Sequence, residues 1–165
     1  FQLVYFGCPM MCGFVFSGDQ KLIREMPWMP SEGYEIVSLS IHPKEDAALA
    51  REKKANLISG LPEGLRAKAE AGWHFLTAKE ETSIALGKEL GVSFKYDTRA
   101  KEYAHPAASV VLSPEGKITR YLYGFEHRAQ DAKLALLEAT AGKIGSVADR
   151  ILMFCYRYDP AGRTY

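Results

Sequence analysis

The chain opens on an unbroken apolar, aromatic run, Gln2 to Phe6, with no polar alternation. A run of that kind predicts a strand buried on both faces. Pro9 suits a first helical position, where its missing N–H costs nothing. The spacing then predicts a helix over Phe14 to Met26, with Phe14, Leu22 and Met26 among its apolar positions. Gly13 and Gly18 each weaken that helix by about 1 kcal/mol, and Pro27 and Pro30 end it. Tyr34 to Ile41 alternates and is β-branched, which predicts a second strand. Asp46 to Ile58 reads as an Ala-rich helix with basic residues late enough to complement its dipole. Gly60-Leu61-Pro62 breaks it, and Glu63 to Ala71 reads as a further short helical turn. Trp73 to Leu76 reads as a short strand. Thr77 is placed to cap the next helix with Glu80 as capping-box partner, and that helix runs to Leu90 and stops at Gly91. Val92 to Tyr96 and Glu102 to His105 form a ribbon about the polar turn Asp97 to Lys101. Ala108 to Leu112, the turn Ser113 to Gly116, and Lys117 to Tyr123 make a hairpin. Gln130 to Ala141 is the last clear helix, and Ser146 to Met153 reads as a short one.

Strands alternating with helices imply right-handed crossovers and a largely parallel sheet, while the late hairpin adds antiparallel strands. The mixture predicts an α/β, thioredoxin-like fold: a mixed central sheet flanked by helices, with a C-terminal extension. The expected organisation is one thioredoxin-like domain over residues 1–141, its N-terminal part missing, and an extension over 142–165 that packs on or near it. In open α/β sheets chemistry gathers beyond the carboxyl ends of the strands. Cys8 and His42 both follow strands in that way.

Composition narrows the function. The 165 residues, 47% hydrophobic and 25% charged, suit one soluble domain large enough to fold without disulfide staples. A net charge of +1, with acidic and basic residues interleaved, leaves no electrostatic footprint for nucleic acid. The start at Phe1, inside an apolar strand, predicts further sequence upstream, where a signal or anchor would lie. The longest apolar stretch, Leu3 to Phe16, is 14 residues with Pro9 inside it, against the roughly 20 a bilayer span needs.

Three cysteines, Cys8, Cys12 and Cys155, are too few for a disulfide scaffold. Cys8 and Cys12 stand four residues apart at a strand-to-helix turn. On a helix that spacing shares a face, and a helix N-terminus favours thiolates. Such a pair closes a disulfide or clasps one soft metal, Cu(I) by preference, or zinc if more ligands arrive. The plainer alternative is two buried structural cysteines. Thioredoxin-type enzymes have two residues between their cysteines; here there are three, Pro9, Met10 and Met11. A thiol peroxidase is expected to carry Thr or Ser three residues before its reactive cysteine, and that position is Tyr5.

Cys8-Pro9-Met10-Met11-Cys12 after an apolar strand resembles the Sco/SenC family of copper-assembly proteins for cytochrome oxidase. The resemblance continues through Ser40-Ile41-His42-Pro43 and Trp73-His74-Phe75-Leu76-Thr77. It is strongest in His105, followed nine residues later by Pro114-Glu115-Gly116. The tail after Phe154 is similar to an extension in a bacterial branch of the family. The resemblance implies a domain on the periplasmic side of the bacterial inner membrane, tethered by an upstream segment. It implies copper held by Cys8, Cys12 and His105, with Cys8 and Cys12 also acting as redox thiols. The implied partners are the copper-site subunit of a terminal oxidase and other copper or thiol carriers.

The chain departs from the family pattern in three places. His42 stands where an acidic residue commonly precedes the proline, Met10 and Met11 replace an acidic residue between the cysteines, and Gly13 replaces a proline. His42 reads as a polar strand-end residue or a spare ligand, and Met10 and Met11 as core fillers or thioether ligands. Cys155 reads as a small residue in an aromatic cluster, and His74 and His127 as structural or exposed. The alternatives to a metallochaperone are a metal-free thiol-disulfide oxidoreductase and a thiol peroxidase.

Overall fold

A computed structural model of the chain describes residues 1–8, 11–99 and 102–141, with residues 11 and 12 described as backbone alone. Five strands form the main sheet in the order β3-β2-β1-β6-β7: β1 Gln2–Val4, β2 Ile36–Ser40, β3 Trp73–Thr77, β6 Ala108–Leu112 and β7 Ile118–Tyr123. The β1/β2 and β2/β3 pairs are parallel, and the β1/β6 and β6/β7 pairs are antiparallel. The expected α/β mixture is therefore present, with parallel strands where helices intervene and antiparallel strands at the hairpin. A separate ribbon pairs β4 Lys95–Asp97 with β5 Glu102–Ala104. The helices among the described residues are α1 Met11–Glu25, α2 Ala47–Ser59, α3 Glu63–Gly72, α4 Glu80–Glu89 and α5 Ala129–Thr140.

β1 is central and buried throughout, as an uninterrupted apolar run requires. On one face of the sheet an aromatic stack ties α1 to the strands. The Phe16 ring lies 5.7 Å from Phe75 and 6.4 Å from both Phe6 and Trp73. Gln20 Nε2 donates to the Leu57 carbonyl at 2.7 Å and Lys53 Nζ lies over the Phe16 ring at 5.3 Å, so α1 and α2 share that face. The end of α4 is tied instead to β7, at the far edge of the sheet, where the Tyr121 hydroxyl donates to the Leu90 carbonyl at 2.9 Å.

The described elements correct several sequence expectations. α1 is described from Met11, so Cys12 lies in its first turn and Cys8 precedes it, with Pro9 and Met10 between them outside the described residues. Phe14 is 66% exposed and is not a core position. Lys53 and Lys54 lie outside the last turn of α2, which has no basic residue. Lys54 instead pairs with Glu70 of α3 at 3.1 Å. Thr77 does not cap α4. Its backbone is the last rung of β3, opposite Ser40, and Lys79 takes the cap position with no side-chain hydrogen bond. The stretch from Glu63 is a full helix of ten residues. Gly18 is required by close approach: an added Cβ would sit 2.2 Å from the Phe125 carbonyl oxygen. Cys155, the helix expected over 146–153 and the extension over 142–165 lie outside the described residues.

Candidate functional site

β1 carries the site. After Val4 the chain leaves the ladder through Tyr5, Phe6 and Gly7 and reaches Cys8, whose amide donates to the Tyr5 carbonyl at 3.4 Å. Cys8 is half-buried and packs against the edge of the core. It stands just ahead of α1, beyond the carboxyl end of the central strand, where an open α/β sheet gathers its chemistry.

The Tyr5 ring organises what faces this end of the sheet. His105 lies 6.3 Å from it edge-on, Tyr103 5.9 Å edge-on, and His42 6.3 Å at a tilt. Tyr103 also meets His42 at 5.5 Å. His105 directly follows β5 and precedes Pro106, so the ribbon delivers it to the same tyrosine from which the Cys8 turn springs. His105, ninety-seven residues from Cys8 in the chain, meets the Tyr5 ring, while the Cys8 amide meets the Tyr5 carbonyl.

Burial holds the His105 imidazole below its ordinary pKa, partly opposed by a contact with the Pro106 carbonyl. That contact joins Nδ1 to the oxygen at 3.2 Å. A carbonyl accepts and never donates, so Nδ1 carries the proton and Nε2 presents the lone pair. A neutral ring with its second nitrogen fixed in this way suits a soft metal. His42 is occupied differently: its Nδ1 accepts the Lys44 amide at 3.1 Å, as befits a polar residue closing a strand end. His74 bonds Glu35 at 2.8 Å and His127 bonds Ser109 at 3.0 Å, both structural roles away from Cys8.

Among the described residues, no three His, Cys, Asp or Glu side chains converge as a metal cluster. The Cys12 side chain lies outside them, as do Met10 and Pro9 and the Met11 side chain. The backbone does put Cys12 in the first turn of α1, where unsatisfied N–H groups favour a thiolate.

Sequence reasoning passes over Glu45. Its carboxylate accepts the amides of Phe6 at 2.8 Å and Gly7 at 2.7 Å, and the Ser40 hydroxyl at 2.5 Å. The signal in the sequence is an acid three residues beyond the position where the resemblance leads one to expect an acid and where His42 stands.

The architecture, a mixed five-stranded sheet flanked by helices, is consistent with the thioredoxin-like fold of Sco proteins. No family model and no curated protein matches the sequence. Among solved structures, the chain is similar to a candidate electron transfer protein from Aquifex aeolicus VF5, at a TM-score of 0.69 and 22% identity over 86% of this chain and 76% of that one. It is also similar to a SCO1/SenC family lipoprotein from Bacillus anthracis str. Ames, at 0.61 and 14% over 83% and 77% of the two chains. A third likeness is to ScoI of Arabidopsis thaliana with copper bound, at 0.52 and 14% over 85% and 81%. No helix among the described residues is long and apolar enough to cross a membrane.

Proposed function

We propose that the chain is a copper-binding assembly factor of the Sco/SenC type, handling copper as cargo for the binuclear centre of a respiratory terminal oxidase. Cys8 and Cys12 supply two thiolates and His105 one imidazole. The observation that carries the reading is Tyr5, whose carbonyl accepts the amide of half-buried Cys8 and whose ring meets the buried His105 edge-on. Two thiolates and one imidazole satisfy Cu(I) and leave a side open for ligand exchange. Copper bound to the Arabidopsis neighbour supports the cargo. The lipoprotein among the neighbours supports a membrane tether; the periplasmic side of the bacterial inner membrane is the compartment that the Sco/SenC resemblance implies.

The test is anaerobic Cu(I) titration of the reduced chain. Wild type should bind one equivalent, and Cys8→Ser, Cys12→Ser and His105→Ala should each weaken binding. Undiminished stoichiometric binding after loss of both thiols would overturn the reading. A second reading, a dithiol that carries electrons without copper, is favoured by the Aquifex neighbours, two of which are candidate electron transfer or transport proteins. Negligible copper binding with fast reduction of a protein disulfide would select it.

A further inference from the structure

We infer that Glu45 is a positioning residue for Cys8: its carboxylate fixes the turn that presents the thiol, in place of an acid at position 42. The inference deepens the proposed function and rests on it for one readout, copper affinity; its other readouts need no metal.

Glu45 grips two successive amides, Oε2 taking the N–H of Phe6 and Oε1 that of Gly7. In a strand consecutive amides point to opposite sides. Two neighbouring amides directed at one carboxylate therefore mean that the chain has left strand geometry. This is where β1 ends and the approach to Cys8 begins. With the Cys8 amide on the Tyr5 carbonyl, the three amides of residues 6 to 8 all have partners. The peptide planes that lead to the sulfur are thereby set.

The carboxylate is itself held from both sides. The Glu45 amide donates to the His42 carbonyl at 3.1 Å, closing a turn over residues 42–45. Asp46 then caps α2, accepting from the amides of Ala48 and Leu49 at 3.0 and 2.9 Å. On the far side the Ser40 hydroxyl, from a fully buried residue of β2, donates to Oε2. A strand end, a turn and a helix cap thus converge on one side chain, and that side chain ends on the backbone just before Cys8. Position 7 is matched to it: a Cβ there would lie 3.2 Å from Oε1, tighter than ordinary contact, so Gly7 lets the carboxylate approach.

The experiment compares wild type with Glu45→Gln, Glu45→Ala and Gly7→Ala, and with Glu52→Gln on the exposed side of α2 as control. Three quantities are read on the full chain: the thiol–disulfide equilibrium constant against glutathione, the alkylation rate of Cys8, and Cu(I) affinity by chelator competition. Thermal unfolding checks the fold of each variant. Loss of a bond to a charged acceptor predicts a shift of about fivefold or more in the equilibrium constant for Glu45→Ala. Loss of a group that orients a metal ligand predicts a fall of about tenfold or more in copper affinity. Glu45→Gln, which keeps one accepting oxygen, should fall between Glu45→Ala and wild type, Gly7→Ala should shift the same way, and Glu52→Gln should match wild type. If Glu45→Ala is folded and all three readouts stay within twofold of wild type, the inference fails. It fails equally if Glu52→Gln moves them as far. Should Glu45→Ala not fold, Gly7→Ala and Glu45→Gln decide by the same criteria. Wild type that binds no copper, while thiol exchange or Cys8 alkylation responds to Glu45, removes the copper reading and leaves the positioning role standing.

Discussion

Asp19 is the residue whose burial has the most measurable consequence. It is 5% exposed in the middle of α1, accepts from Gln2 Nε2 at 2.6 Å, and neighbours a polar chain that runs on through Ser38 to the Trp73 indole. Burial pushes its pKa up to about 7, against the opposing Gln2 bond and the terminal amino group. A carboxyl raised above its unfolded value binds its proton more tightly in the folded state. The contribution of Asp19 to folding stability is therefore greatest below about pH 4, falls as pH rises toward 7, and stays at the lower level above that. Asp19→Asn keeps the acceptor for Gln2 and removes the titration. It should gain roughly 2–4 kcal/mol over wild type at pH 8 and close to nothing at pH 4, read from urea midpoints at the two pH values. If Asp19→Asn is no more stable than wild type at pH 8, the carboxylate finds a compensating partner.

At the scale of elements, α4 shows how a local signal loses to a tertiary one. Thr77, three residues before Glu80, reads as a capping box. Pairing of Thr77 with Ser40 extends β3 by a residue and moves the helix start to Glu80. Lys79 then occupies the cap at φ −66° and ψ 153°, the extended geometry of an N-cap, without a side-chain bond. Lys79→Asp should supply that bond and raise stability by about 1 kcal/mol, measured by thermal unfolding. The aromatic seam between α1 and the sheet works in the other direction. Phe16 is fully buried among Phe6, Trp73 and Phe75. Phe16→Ala should cost about 3–5 kcal/mol by denaturant unfolding, since it empties the joint between the strands and the helix that carries Cys12.

For the whole molecule, the order of strands and helices was legible from the chain because each apolar run has its own period and each break its Gly or Pro. Parallel pairing follows from the intervening helices and antiparallel pairing from Ser113-Pro114-Glu115-Gly116, where Gly116 takes φ 78°. The expectation that Cys8 and His105 act together came from the family resemblance rather than from periodicity, since ninety-seven residues separate them. Phe14 shows that an apolar residue in a first turn need not face the core: it is exposed, with the Phe125 ring 6.2 Å away. Glu45 was not legible because its three donors come from the turn beyond β1 and from the end of β2, a convergence that no single window of sequence contains. That convergence also links substitutions made at separate places in the chain. Ser40→Ala and Glu45→Ala remove the two ends of one bond, so their costs in thermal unfolding should sum to more than the cost of the double variant.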